Sequence, residues 1–120
     1  MELTGKCKEE FEKWYIITYF KDSIPLSVQE HCAILECFDD CFKSMRYGVL
    51  EDYFDSVGVN IEIQNRVIGW NYKEVEYLPC CITLKGFDFG IHFKTRPEAR
   101  TAAIEKANEL RNEVLNKKYA

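Results

Sequence analysis

No stretch of this 120-residue chain holds the ~18 consecutive apolar residues that a membrane-spanning helix needs. The opening residues, MELTGKCKEEFEKW, lack the basic-then-apolar layout of a secretory signal, so a cytoplasmic protein with no membrane association is expected. Low-complexity tracts, Ser/Gly-rich linkers and internal repeats are absent, and the length suits a single domain over residues 1–120. There are only two histidines, and no G-x-S-x-G, H-E-x-x-H, P-loop or G-x-G-x-x-G pattern. The expectation is a non-enzymatic protein without a cofactor. Net positive charge is missing too. Sixteen Lys+Arg against twenty Asp+Glu leave a charge of −4, the wrong sign for a general binder of phosphate backbones.

What is present is ordinary globular material, 47% hydrophobic and 30% charged, enough to build one core without staples. Six cysteines (Cys7, Cys32, Cys37, Cys41, Cys80 and Cys81) come without a secretory signal, so reduced thiols acting as small hydrophobes are expected. His31, Cys32, Cys37 and Cys41 are the one cluster with soft-ligand chemistry, since Cys37 and Cys41 sit one helical turn apart. Paired C-x2–4-C knuckles are lacking, so these four are weak metal candidates and buried helical thiols are the favoured reading.

The spacing of Cys7, Phe11, Trp14 and Tyr15 predicts a helix from about Leu3 to Phe20. Ser27 and Glu30 form an S-x-x-E capping box that opens a second helix to about Phe38, carrying Val28, Leu35 and Phe38, with Asp39-Asp40 marking its exit. Ser44 is the expected N-cap of a third helix, with Met45, Val49, Leu50, Tyr53, Phe54 and Val57 on its apolar side and Gly58 at its left-handed exit. Val59 to Ile63 alternates as a strand; Gln64-Asn65-Arg66 suggests a hairpin turn, and Val67 to Tyr72 a return strand. Lys73 to Pro79 is expected as a loop, and Cys81–Leu84 and Phe87–Phe93, which contains His92, as two further strands. Thr95, Pro97 and Glu98 open a last helix whose Ala99, Ala103, Ala107, Leu110 and Val114 form a narrow stripe suited to covering a sheet. The fold expected is therefore α+β: N-terminal helices, a small antiparallel sheet of three to four strands, and a C-terminal helix packed on the sheet.

Three segments, LTGKCKEEFEKWY, SMRYGVLEDYFDSVG and KTRPEARTAAIEKANEL, together resemble a family of small uncharacterised proteins encoded by phages and prophages of Bacteroides-like bacteria. The resemblance covers about half the chain and departs between Pro25 and Phe42 and across much of the strand region. It implies a phage-derived accessory protein in a bacterial host cell and assigns no functional residue. Glu98 to Ala103 with Ala107 is also similar to the final helix of double-stranded-RNA-binding domains, although Pro97 stands where those domains carry a basic residue.

Seventeen of 120 residues are Phe, Tyr or Trp, more than a small core readily hides. Trp14, Tyr47, Trp70 and Tyr72 are therefore candidate contacts to a host protein, or to a second copy of the chain through the same surface. The alternative is a nucleotide or nucleic-acid (RNA) site on a basic flank made by Lys94, Arg96, Arg100 and Arg111. The acidic balance disfavours it.

Overall fold

The computed structural model describes residues 3–68, 74–82 and 93–118. Four α-helices dominate it: α1 (Gly5–Tyr19), α2 (Val28–Asp39), α3 (Lys43–Ser56) and α4 (Arg96–Lys118), with a short 3-10 turn at Lys21–Ser23. Two strands, β1 (Asn60–Ile68) and β2 (Glu74–Ile82), pair antiparallel as a two-stranded ribbon. The expectation of an α+β fold built on a sheet of three to four strands is thus overturned: the described residues are mostly helical. The core joins the helices to Val59 and Ile61 at the start of the ribbon, and α4 touches both strands as well as α1 and α3.

Local signals account for several boundaries. Ser27 Oγ accepts the Glu30 N–H at 3.1 Å, while Glu30 Oε1 accepts the Ser27 N–H at 3.2 Å, so the capping box opens α2 as its spacing predicts. Gly58 follows the C-cap of α3 with φ of +81°, a conformation that costs a residue with a Cβ about 1 kcal/mol or more. The expected N-cap of α3 is displaced: Phe42 holds that position and Ser44 lies inside the first turn. Thr95 Oγ1 receives the Glu98 N–H at 3.4 Å at the start of α4.

The strand region departs most from expectation. Gln64, Asn65 and Arg66 do not turn; they lie within β1, paired with Leu78, Tyr77 and Glu76. Lys73 to Pro79 is not a loop from Glu74 onward but the first part of β2. Backbone pairing over nine residues overrides the turn preference of a short polar run. Pro79 is compatible with this because both strands of a two-stranded ribbon are edges, where a missing N–H need not break the ladder. Trp70 and Tyr72, most of the Cys81–Leu84 and Phe87–Phe93 strands, and His92 lie outside the described residues.

One buried cluster joins Leu3, Cys7 and Phe11 of the N-terminal segment with Leu50, Tyr53 and Phe54 of α3, Phe38 of α2, and Ala103, Ile104, Ala107 and Leu115 of α4. Phe11 is its centre, meeting Tyr53 edge-on at 5.3 Å and Phe38 at 5.2 Å. Small side chains on α4 let its axis approach α1 and α3 closely. Its buried face is Ala99, Ala103, Ile104, Ala107, Asn108 and Leu115, while Val114 is 51% exposed, so the face is rotated from the expected stripe. Helix α2 sits at the margin: only Phe38 is buried, and Val28, expected inside, is 81% exposed.

Asparagines on α4 cap α1 from outside. Thr4, the N-cap residue, makes no side-chain capping bond of its own. Asn112 Oδ1 instead accepts the Cys7 N–H at 2.8 Å, and Asn108 Oδ1 accepts the Thr4 N–H at 3.0 Å. The amide groups return bonds, Asn108 Nδ2 to Thr4 Oγ1 and Asn112 Nδ2 to the Thr4 carbonyl, both at 3.0 Å. A Cβ at Gly5 would stand 3.0 Å from Asn112 Oδ1, so glycine permits this close approach.

Candidate functional site

The chain passes from α2 to α3 through Phe42 and enters α4 through Thr95 and Pro97. These two helix starts lie side by side and leave a cleft of about 320 Å³ between them, near the lower limit for a site that encloses a small ligand or one side chain. Its walls are Tyr47 and Leu50 from α3 and Pro97 and Ile104 from α4, with Phe42 at the lip. Phe42 is 79% exposed, a phenyl ring held almost entirely in water. Ser44 and Thr101 add hydroxyls, and Lys43 and Arg100 add positive charge, with no carboxylate in the lining among the described residues.

Arg100 lies over an aromatic ring. Its guanidinium carbon is 5.0 Å from the centre of the Tyr47 ring, within cation–π range. Its charge also reaches Glu51, opposing a rise in that carboxyl's pKa caused first by burial and then by Asp55 and Asp52. A broader, shallower hollow of about 650 Å³ lies across Pro97 and Thr101, where Glu98, Glu105 and Glu109 mix with Lys43 and Lys106. Its mixed charge distinguishes it from the cleft.

Of the aromatic candidates, Tyr47 belongs to the cleft. Trp14 does not: it is half-buried at the core margin, 5.6 Å from Tyr53 and edge-on to Tyr19 at 5.8 Å. The basic candidates are divided. Lys94 is exposed, Arg96 half-buried, and Arg100 faces the cleft, but Arg111 is turned into the structure. Arg111 grips Glu10 of α1 with both arms, Nε to Oε1 at 2.8 Å and Nη2 to Oε2 at 2.9 Å. Tyr53 donates its hydroxyl to the same Glu10 Oε1 at 2.7 Å.

Titration follows this geometry. Burial alone would raise the Glu10 pKa, but the hydrogen bonds from Arg111 and Tyr53 outweigh it and hold the carboxyl below its ordinary value. Burial pushes the Tyr53 phenol up, with Cys7 and Glu10 adding to the rise. The Cys7 thiol is pushed up to about 11, chiefly by burial, against a lowering contact from Tyr53. Cys7 is therefore an unreactive thiol at neutral pH.

The remaining cysteines correct the expectation of buried helical thiols. Cys32 and Cys37 are exposed and Cys41 is half-buried, its Sγ donating to the Cys37 carbonyl at 3.3 Å. His31 is half-buried on the same helix. Among the described residues no group of three or more His, Cys, Asp or Glu side chains is arranged to hold a metal ion. Cys37 and Cys41 instead border a small hollow of about 260 Å³ with Tyr15, Phe20, Ile34 and Phe38.

Sequence reasoning named Tyr47 and Arg100, but as members of separate candidate surfaces, and missed Phe42 and Lys43, because no local spacing links the starts of α3 and α4. The Glu10–Arg111 pair was equally hidden, with partners 101 residues apart. Asn108 and Asn112 did leave a trace: two amides one turn apart on an Ala-rich helix are a pattern that caps or clamps a neighbour. No helix among the described residues is long and apolar enough to cross a membrane. In comparisons with known proteins, no family model, curated protein or solved structure matches the chain.

Proposed function

We propose that this is a non-enzymatic accessory protein of phage origin, acting in the bacterial cytoplasm by binding a host protein, and that the α3–α4 cleft is where the partner is held. The observation that carries this reading is Phe42, 79% exposed at the lip of an apolar cleft whose rim is cationic. Met45, one turn further along α3, is 59% exposed and extends the apolar surface beside it. A contiguous apolar patch rimmed by charge is the usual form of a protein-binding surface, and aromatic and arginine side chains are the residues that dominate such contacts.

The test is affinity capture from bacterial lysate with the unaltered chain and with Phe42→Ser. Phe42 contributes little to the core, so Phe42→Ser should fold normally by circular dichroism. Capture of one protein in near-stoichiometric amount, lost in Phe42→Ser and retained in Val114→Ser on a distant exposed site, supports the reading. Capture indifferent to Phe42, or captured material that is nuclease-sensitive RNA, overturns it. Paired substitution of Arg100 and Arg111 is unsuitable for separating protein from nucleic-acid binding, because Arg111 supports the fold through Glu10.

A further inference from the structure

We infer that the cleft recognises the C-terminal residue of the partner chain, its apolar side chain between Tyr47, Leu50 and Ile104 and its terminal carboxylate on Arg100. This rests on the cleft being the binding surface and specifies what fills it. Three observations carry it. The cleft volume of about 320 Å³ accommodates one large side chain with its backbone, not a folded element. Among the described residues the lining contains Lys43 and Arg100 and no carboxylate, although the whole chain carries −4, so an anionic occupant finds matching charge at this place. Finally, the Arg100 guanidinium carbon lies 5.0 Å from the centre of the Tyr47 ring, a cation–π contact that holds at the cleft a side chain able to bind both oxygens of a carboxylate.

A terminal residue suits these constraints better than an internal acidic one. Its carboxylate is one bond from the same Cα that bears the apolar side chain, so a single residue reaches both the apolar walls and the rim. In an extended internal segment, neighbouring side chains point to opposite faces, and an aspartate or glutamate beside an apolar residue would be directed away from Arg100. The lip formed by Phe42 can then cover the penultimate residue and exclude water from the ion pair, which strengthens it.

The experiment titrates the intact protein with pentapeptides Gly-Ser-Gly-Ser-X, where X is Leu, Ile, Met or Phe, each as free acid and as C-terminal amide. Binding is followed by NMR shifts of Tyr47 and Ile104. At least one free acid is expected to bind about tenfold or more tightly than its amide, the difference collapsing in Arg100→Gln and being partly kept in Arg100→Lys. Equal affinity of acid and amide, or a stronger response to Gly-Ser-X-Asp-Gly-amide, overturns the carboxylate inference while leaving the cleft as the binding surface. If no peptide moves either resonance and lysate capture also survives Phe42→Ser, the cleft reading itself falls. If no peptide binds but capture is lost in Phe42→Ser, only the terminal-residue inference falls.

Discussion

Replacing Arg111 with methionine keeps most of the apolar stem and removes both bonds to Glu10. The carboxylate then keeps the Tyr53 hydroxyl bond and the more distant charge of Lys118, in a site where the Glu10 side chain is 30% exposed and that of Arg111 17%. Removing one partner of a fully buried pair costs about 3–5 kcal/mol, and of an exposed pair about 0–1 kcal/mol. With both side chains mostly but not wholly enclosed, the loss should be about 2 kcal/mol, or about 8 °C in Tm for a chain of this size. Thermal and urea unfolding at pH 7 measure it. The double substitution Glu10→Gln with Arg111→Met should recover much of the loss, because the unpaired charge is gone. The pH profile supplies a second readout. Glu10 has its folded pKa below the ordinary 4.5, so its stabilising contribution is complete above about pH 5 and is lost as pH falls through the folded value. The gap between the wild type and Arg111→Met should narrow over that acid range. An Arg111→Met protein within 2 °C of the wild type, or no recovery in the double variant, would refute this account of the pair.

Asn112→Ala leaves the Cys7 N–H without its acceptor and the Thr4 carbonyl with only the Lys8 N–H, and should cost about 1–2 kcal/mol. Hydrogen exchange resolved by residue should show the Cys7 amide losing protection more than amides in the middle of α1. Iodoacetamide on the native protein, read by peptide mass spectrometry, should modify Cys32 and Cys37 within minutes at pH 8, whereas Cys7 should react only after unfolding. Early labelling of Cys7 would show that the core around Phe11 opens readily.

Features that depend on bonds between residues three or four apart were legible in advance. The Ser27–Glu30 box, the left-handed Gly58 after α3, and the exit of α2 at Asp39–Asp40 are all of this kind, because both partners lie within one turn of chain. All four helices also had their inward residues read correctly in part: Cys7 and Phe11, Phe38, Leu50 with Tyr53 and Phe54, and Ala99, Ala103 and Ala107. Misreadings came where a local preference competed with a distant partner. Gln64-Asn65-Arg66 has the composition of a turn, yet pairing with β2 keeps it extended. Met45 and Val28 continue helical apolar patterns but face water, because the buried cluster of the described residues lies on the other side of their helices.

The amino-acid order by itself therefore determined the helices to within about two residues at their ends, and that α1, α3 and α4 each carry a face able to enter a core. The Ala99, Ala103 and Ala107 stripe of α4 was legible as well; tertiary structure decided that Ile104, Asn108 and Leu115 join it, with Asn108, Asn112 and Arg111 bonded to Thr4, Cys7 and Glu10 more than a hundred residues away. The cleft has the same origin. Phe42 and Arg100 become parts of one surface only when the starts of α3 and α4 are brought together by the Leu50, Tyr53, Ala103 and Ile104 core behind them, a juxtaposition no local spacing encodes.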